Sequence, residues 1–289
     1  MGLNIGIIGA GRVGSAFALA LSGSEAEISG IFSRSAQGVE YLSNRLNRTF
    51  TNDIVGTVQA ANVILLTVPD SDIAEVADRI CEAGAACISK KTFLHCSGAL
   101  TSSELRILAR AGGCTGSLHP IQTFASREEG WKGLTGIFFG YEGDSAARVK
   151  ALRLVEILKG TLLDIKAEVK PLYHAAACIL SNYTVALSHI TGMLLDEAGI
   201  GRDVGIKAFM PLLENTVRNI AAVGSLKALT GPVSRGDSAT VAGHLAAMAG
   251  WNDEVSELYR VIGRITVRMA IEKGSIDQDR AGLLLEVLK

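Results

Sequence analysis

An α/β chain is expected, with a doubly wound parallel sheet in its first part and an all-helical domain after it. Three observations predict this. Through about residue 165, short apolar runs alternate with amphipathic stretches, the rhythm of strand–helix–strand units. A glycine triplet, Gly9-Ala10-Gly11-Arg12-Val13-Gly14, sits between the first apolar run and the first amphipathic stretch. After about residue 167 the strand signals stop and only helical patterns remain.

Residues 3–9 read as a strand, 12–23 as a helix, 28–34 as a strand and 36–47 as a helix. The run 62–69, NVILLTVP, is nearly continuous apolar, as in a strand covered on both faces. A helix over 71–83, a strand over 91–98, a helix over 101–112 and a short strand over 114–120 follow. Residues 136–143, 144–160 and 161–165 complete the alternation as strand, helix and strand. Helices are then expected over 168–199, 203–223, 237–250, 252–273 and 277–288, with a Gly/Pro-bearing loop at 230–237. The expected domains are 1–166, a dinucleotide-binding unit, and 167–289, a helical unit for substrate and dimer contacts.

Composition narrows the function. The chain has 289 residues, 48% hydrophobic and 20% charged, with a formal net charge of −1. That is too apolar for a disordered chain and lacks the basic excess of a nucleic-acid binder. No uninterrupted apolar run reaches the roughly 18 residues of a membrane span. The start, MGLNIGIIGAGRVG, reads as a strand entering a glycine turn and not as a signal peptide. Five scattered cysteines form no CxxC or Cys/His cluster, so no metal is expected and a cytoplasmic location is.

The glycine triplet follows a strand and opens a helix, the context of a dinucleotide fingerprint. Gly9 permits the tight turn, Gly11 lets the backbone approach a pyrophosphate, and Gly14 allows close packing of helix on sheet. Arg12 and Val13 lie at the start of that helix, whose free N–H groups suit phosphates. Roughly twenty residues on, an NAD site would carry an acid; this chain has Ser33-Arg34-Ser35 instead. Arg34 can donate to a 2′-phosphate and the serines can support it, which points to NADP. Ligands of such sheets sit at the carboxyl ends of the strands. Val68-Pro69 and the stretch His95-Cys96-Ser97-Gly98 are therefore expected beside the ribose and nicotinamide, with Ser97 as a contact. His119, at a strand exit before Pro120, is a candidate for substrate; His95 is read as packed.

The N-terminal half resembles the NADP-binding domains of pyrroline-5-carboxylate reductase, ketopantoate reductase and β-hydroxyacid dehydrogenases. As a whole, the chain resembles an uncharacterised family that joins a Rossmann-like domain to a helical domain of unknown function. HCSGAL (95–100), SLHPIQTF (117–124), YHAAACILSNY (173–183) and TGPVSRGD (230–237) carry that resemblance. It implies NADP and redox chemistry but no particular substrate. In the better-known relatives, a Lys and an Asn one turn apart on the first helix of the helical domain face the nicotinamide. Here Lys170 is followed one turn later by His174, and the Asn comes only at 182.

The first helix after residue 167 holds the remaining candidates. On a continuous helix, His174, Cys178, Ser181 and Asn182 fall on one face. His174, whose ordinary pKa lies near 6.5, could supply a proton, Asn182 could orient a substrate oxygen, and Ser181 or Lys170 could contact substrate. Arg235, in the 230–237 loop, could bind a carboxylate, and Asp237 could cap the next helix. The reading is an NADP-dependent oxidoreductase acting on a small, carboxylate-bearing carbonyl, imine or hydroxy acid. The competing reading is a non-catalytic NADP-binding sensor or scaffold. A homodimer through the helical domain is expected, with neither nucleic acid nor membrane as partner.

Overall fold

The computed structural model describes residues 2–82, 84 and 87–289. Ala83, the last residue of the expected 71–83 helix, lies outside them.

The glycine turn links β1 (Leu3–Ile8) to α1 (Arg12–Leu21). After β2 (Ala26–Phe32) and α2 (Ala36–Leu46) comes α3 (Ile54–Ala60), which was not expected. Its signal is local: the Asp53 carboxylate accepts from the N–H groups of Val55 and Gly56. Seven residues rich in β-branched side chains show little helical periodicity. Next come β3 (Val63–Leu66), α4 (Ile73–Glu82), β4 (Thr92–His95), α5 (Arg106–Arg110) and β5 (Cys114–Pro120). Then follow β6 (Phe138–Gly143), α6 (Ser145–Ile157) and β7 (Thr161–Asp164).

These strands form one seven-stranded sheet in the order β2-β1-β3-β4-β5-β6-β7. Every pairing is parallel except β5 with β6, where Leu118 faces Tyr141 and His119 faces Gly140. Only a short 3₁₀ turn, Gly130–Leu134, lies between those two strands, so no crossover helix carries the chain back to the starting edge. Helices cover both faces. On one, Phe17, Val39 and Leu154 from α1, α2 and α6 pack with Ile5, Ile7 and Leu65. On the other, Val58, Val76 and Leu108 from α3, α4 and α5 pack with Ile8, Ile64 and Leu66. The alternation along β3 between the two clusters explains its unbroken apolar run. The direction of winding reverses at β1, between β2 on one side and β3 on the other, and such a switch point opens a crevice at the carboxyl ends of the strands.

By compactness the chain divides into Met1–Tyr183 and Thr184–Lys289. α7 (Lys170–Leu180) falls in the first unit. The continuous helix expected over 168–199 is interrupted: Ser181 has φ −95° and ψ −67°, and α8 (Asn182–Glu197) begins after it. Ser and Asn compete for backbone hydrogen bonds and favour such breaks. The stretch Ala167–Glu197 is nevertheless apolar and long enough, by length and composition, to cross a membrane.

The second unit continues with α9 (Arg202–Ala228), kinked at Gly224, and α10 (Pro232–Arg235). It ends with α11 (Ser238–Met248), α12 (Asp253–Glu272) and α13 (Gln278–Val287). Its core joins Val233, Val241, Leu245, Val267 and Leu284. Asp237 caps α11, accepting from the Thr240 N–H at 3.0 Å. α9 contributes little to that core, with Gly205 its one buried residue, and Val204, Leu212, Val217 and Val223 stay more than half exposed.

Candidate functional site

The glycine turn is built to leave backbone exposed. Gly9 has φ +108°, and a Cβ there would lie 2.7 Å from the Thr67 carbonyl oxygen. A Cβ on Gly14 would lie 2.0 Å from the Gly9 oxygen, so α1 approaches the turn as only glycine allows. The Thr67 hydroxyl donates to that oxygen at 2.6 Å and ties β3 to the turn. Gly11, the N-cap of α1, is different. A Cβ there would meet nothing within 4 Å, and with no side chain it caps no N–H group of the helix. Space and free donors meet at one point, which fits the pyrophosphate of a dinucleotide.

Beside the turn lies a cleft of about 240 Å³. Gly9, Gly11, Ser33, Arg34, Ser35, Val68 and Pro69 line it, so those sequence candidates come together. Arg12 is exposed and Val13 half-buried on the first turn of α1. The cleft also gathers residues absent from the sequence reading: Asp72, Glu75 and Arg79 of the β3–α4 segment, and Arg127. Arg34 pairs with Asp72 at 2.8 Å. The Arg79 guanidinium stands over the Phe32 ring, 5.5 Å from its centre. No spacing rule links positions so far apart in the chain; only the sheet order brings them together.

A second cluster sits at the ends of β4 and β5. His95 is fully buried and braces the loop that follows. Its Nδ1 accepts from the Ser97 N–H at 3.2 Å and its Nε2–H donates to the Thr101 carbonyl at 3.0 Å. Burial, above all, lowers its pKa to about 4, which keeps this neutral form. Ser97 is likewise tied up: its hydroxyl donates to Asp70 at 2.6 Å and accepts from the Leu100 N–H at 3.0 Å. The Asp70 carboxylate therefore holds Ser97.

Lys170 is the surprise of this cluster. It is only 2% exposed, and its ammonium donates to the Ser117 hydroxyl at 2.7 Å and the Ser97 carbonyl at 3.3 Å. Loss of water lowers its pKa. One turn on, the Tyr173 hydroxyl and His119 Nδ1 are 2.7 Å apart. Gly140, opposite His119 in the β5–β6 register, makes room for that hydroxyl: a Cβ there would lie 2.6 Å from it. The rings of His119 and His174 stand 6.0 Å apart. Both close on Gly98, where a Cβ would come within 2.6 Å of His174 and 3.0 Å of His119 Nε2. Burial first, then the neighbouring His174 and Lys170, lower the His119 pKa to about 4, while burial raises that of Tyr173 to about 12. Both are therefore neutral near pH 7, and the Tyr173 hydroxyl can donate to Nδ1 with the His119 proton on Nε2.

His119 and His174 thus meet, with Cys178 Sγ 3.9 Å from His174 Nδ1. Ser181 is half-buried and Asn182 exposed at the break between α7 and α8. Arg235 is the last residue of α10, in the second unit. Tyr173 and the buried contacts of Lys170 escaped the sequence reading. The available signals were a lysine and a tyrosine one turn apart on an alanine-rich helix, and a glycine within a sheet strand.

The fold and the glycine turn define a Rossmann-type architecture. Residues 1–120 match the family model of a Rossmann-like domain, and residues 137–266 that of a domain of unknown function (DUF2520). The chain is a Rossmann-like protein carrying that C-terminal domain, the pairing implied by the resemblance. Among solved structures, a protein of Thermotoga maritima is similar at 26% identity and TM-score 0.73, over 93% of this chain and 99% of its own. A candidate NADP oxidoreductase of Bacteroides fragilis is similar at 21% identity and TM-score 0.71, over 92% of this chain and 98% of its own. An imine reductase of Myxococcus stipitatus, solved with NADP+, is similar at 18% identity and TM-score 0.63, over 99% of this chain and 100% of its own. No curated protein matches the chain.

Proposed function

We propose that the protein is an NADP-dependent oxidoreductase. The observation that carries the reading is the open, cap-free position over Gly11 beside an arginine-bearing cleft. The structural neighbours described as an NADP oxidoreductase and an imine reductase support it. NADPH, when bound, supplies a hydride for a C=O or C=N carbon. Gly11 and the first N–H groups of α1 hold the pyrophosphate, Val68 and Pro69 flank the ribose, and Ser33, Arg34 and Ser35 take the 2′-phosphate. The residues at Gly98 handle the proton. His174 donates it to the developing alkoxide or amine, and neutral His119, oriented by Tyr173, donates a hydrogen bond from Nε2 to the same atom. A positive charge on His174 disfavours one on His119, so the two rings take different roles.

Ser181 and Asn182 are proposed as substrate contacts, and Arg235, within the second unit, is proposed separately as a group that favours a carboxylate. The exposed apolar residues of α8 and α9, such as Val185, Leu187, Val204 and Leu212, support a homodimer through the helical domain. The anchoring of Lys170 inside the first unit argues against reading 167–197 as a membrane span. All five cysteines are free thiols, which suits a reducing, cytoplasmic setting.

The test is calorimetric binding of NADP+ and NAD+, with turnover of imine, carbonyl and hydroxy-acid panels by wild type and His174→Ala. Tighter NADP+ binding and a turnover that falls about a hundredfold in the variant are expected. Binding without turnover across the panels would favour a sensor or scaffold.

A further inference from the structure

We propose that Arg79 is a determinant of cofactor specificity, selecting the 2′-phosphate together with Arg34, and that Asp72 is an internal anion which the phosphate displaces. The proposal rests on the NADP reading above.

Asp72, in the 3₁₀ turn just before α4, and Arg79, on α4, line one cleft. The Arg79 guanidinium is stacked over Phe32, the last residue of β2 and the one directly before Ser33-Arg34. An aromatic platform thus holds a planar cation beside the serine–arginine turn. Arg34 is held differently. Its side chain is 76% exposed, so its ion pair with the largely buried Asp72 carboxylate is open to water on the arginine side. Water screens a pair with one exposed partner, whereas a phosphate offers a doubly charged, bidentate partner. The phosphate can therefore draw Arg34 away from Asp72. Three guanidiniums, of Arg34, Arg79 and Arg127, face two carboxylates, of Asp72 and Glu75, in this cleft. Among the described residues neither Arg79 nor Arg127 forms an ion pair, so Arg79 is stacked but not neutralised. Arg127 is instead stacked on Tyr41 of α2.

Calorimetric titration of NADP+, NAD+ and 2′,5′-ADP into the full chain and into Arg79→Ala, Arg79→Lys and Asp72→Asn tests this. Arg79→Ala should weaken NADP+ and 2′,5′-ADP about tenfold and NAD+ less than about twofold, as expected for one charge-assisted contact to the phosphate. Arg79→Lys should recover part of that loss. Asp72→Asn should strengthen NADP+ by roughly threefold and leave NAD+ unchanged, the size of a water-screened ion pair. Equal losses for NADP+ and NAD+ in Arg79→Ala, or none, would overturn the role of Arg79 and reduce it to a brace on Phe32. Weaker NADP+ binding by Asp72→Asn would overturn the displacement. A wild type that binds neither nucleotide brings down the cofactor reading itself, and this proposal with it.

Discussion

At the ends of β1 and β3 the candidate site is made of backbone. Gly9, Gly11 and Gly14 shape a turn whose usefulness lies in absent side chains, and the turn itself packs only on neighbours within a few residues or on the adjacent strand, Thr67 above all. At the ends of β4 and β5 it is made of side chains. His119, Tyr173, His174 and Lys170 come from a strand and from a helix more than fifty residues later; the first three crowd around two glycines, Gly98 and Gly140, and Lys170 is held on Ser117. The first region tolerates a ligand because it is open. The second has lost water before any ligand arrives, and its ionisable groups show it.

The sharpest way to break this contrast is within the glycine turn itself. Gly14→Ala puts a methyl 2.0 Å from the Gly9 oxygen, a backbone clash with no flexible partner to give way. It should cost about 3 kcal/mol or more and lower Tm by roughly 6–12 °C or more. Gly11→Ala meets nothing within 4 Å, so only its poorer fit as an N-cap counts against it, and its Tm should fall by roughly 1–4 °C. It should still weaken NADP+ binding at least about tenfold by blocking the backbone's approach to the pyrophosphate. Thermal melts and titrations of both variants decide the matter. A Gly11→Ala protein that binds as well as wild type would remove the phosphate role from the turn.

The side-chain cluster should declare itself through pH. His95 and His119 ordinarily titrate near 6.5 but are held to about 4 in the folded chain. Between those values the unfolded chain binds more protons, so stability is full above pH 6.5 and falls as pH drops toward 4. Each histidine contributes on the order of 3 kcal/mol across that window. His119→Gln should remove its share of the slope in urea midpoints measured from pH 7 to pH 4. If the slopes of variant and wild type coincide, His119 is not desolvated and the contrast between the regions is lost.

The two regions also differ in how much of them a single sequence reveals. The fingerprint is local, and so is the end of β5: the 114–120 strand and the position of His119 at its exit are as expected. Pro171 opens α7 where the sequence places the start of a helix. What stayed hidden is what depends on distant partners. β6 runs antiparallel because the connection before it lacks a crossover helix, and no apolar pattern encodes strand direction. Arg79 is forty-five positions from Arg34, and an arginine on an amphipathic helix looks like any solvated charge until β2 and β3 are set on either side of β1. Lys170 looks like a helix-start lysine until Ser117 is brought to 2.7 Å from it. The break at Ser181 split a stripe that helical periodicity alone made continuous.

The smallest expected effect concerns the bond that holds His119 in the proposed proton-handling pair. Tyr173→Phe keeps the ring and its edge-on contact with His119, whose centres lie 5.6 Å apart, but removes the hydroxyl. His119 Nδ1 then loses its partner where water is scarce, which should cost about 1–2 kcal/mol, or roughly 2–8 °C in Tm. The kinetic consequence separates positioning from packing. If Tyr173 orients His119 toward a reacting atom, kcat should fall by about tenfold while KM stays within about twofold, because the lost contact acts in the transition state. If Tyr173 only fills the space left by Gly140, Tm falls and kcat does not. Gly140→Ala offers the reciprocal probe, since it pushes the same hydroxyl from the other side. Combined with Tyr173→Phe, its cost should be less than the sum of the two single effects, as for residues in contact. A strictly additive pair would mean that the Tyr173 hydroxyl does not press on Gly140.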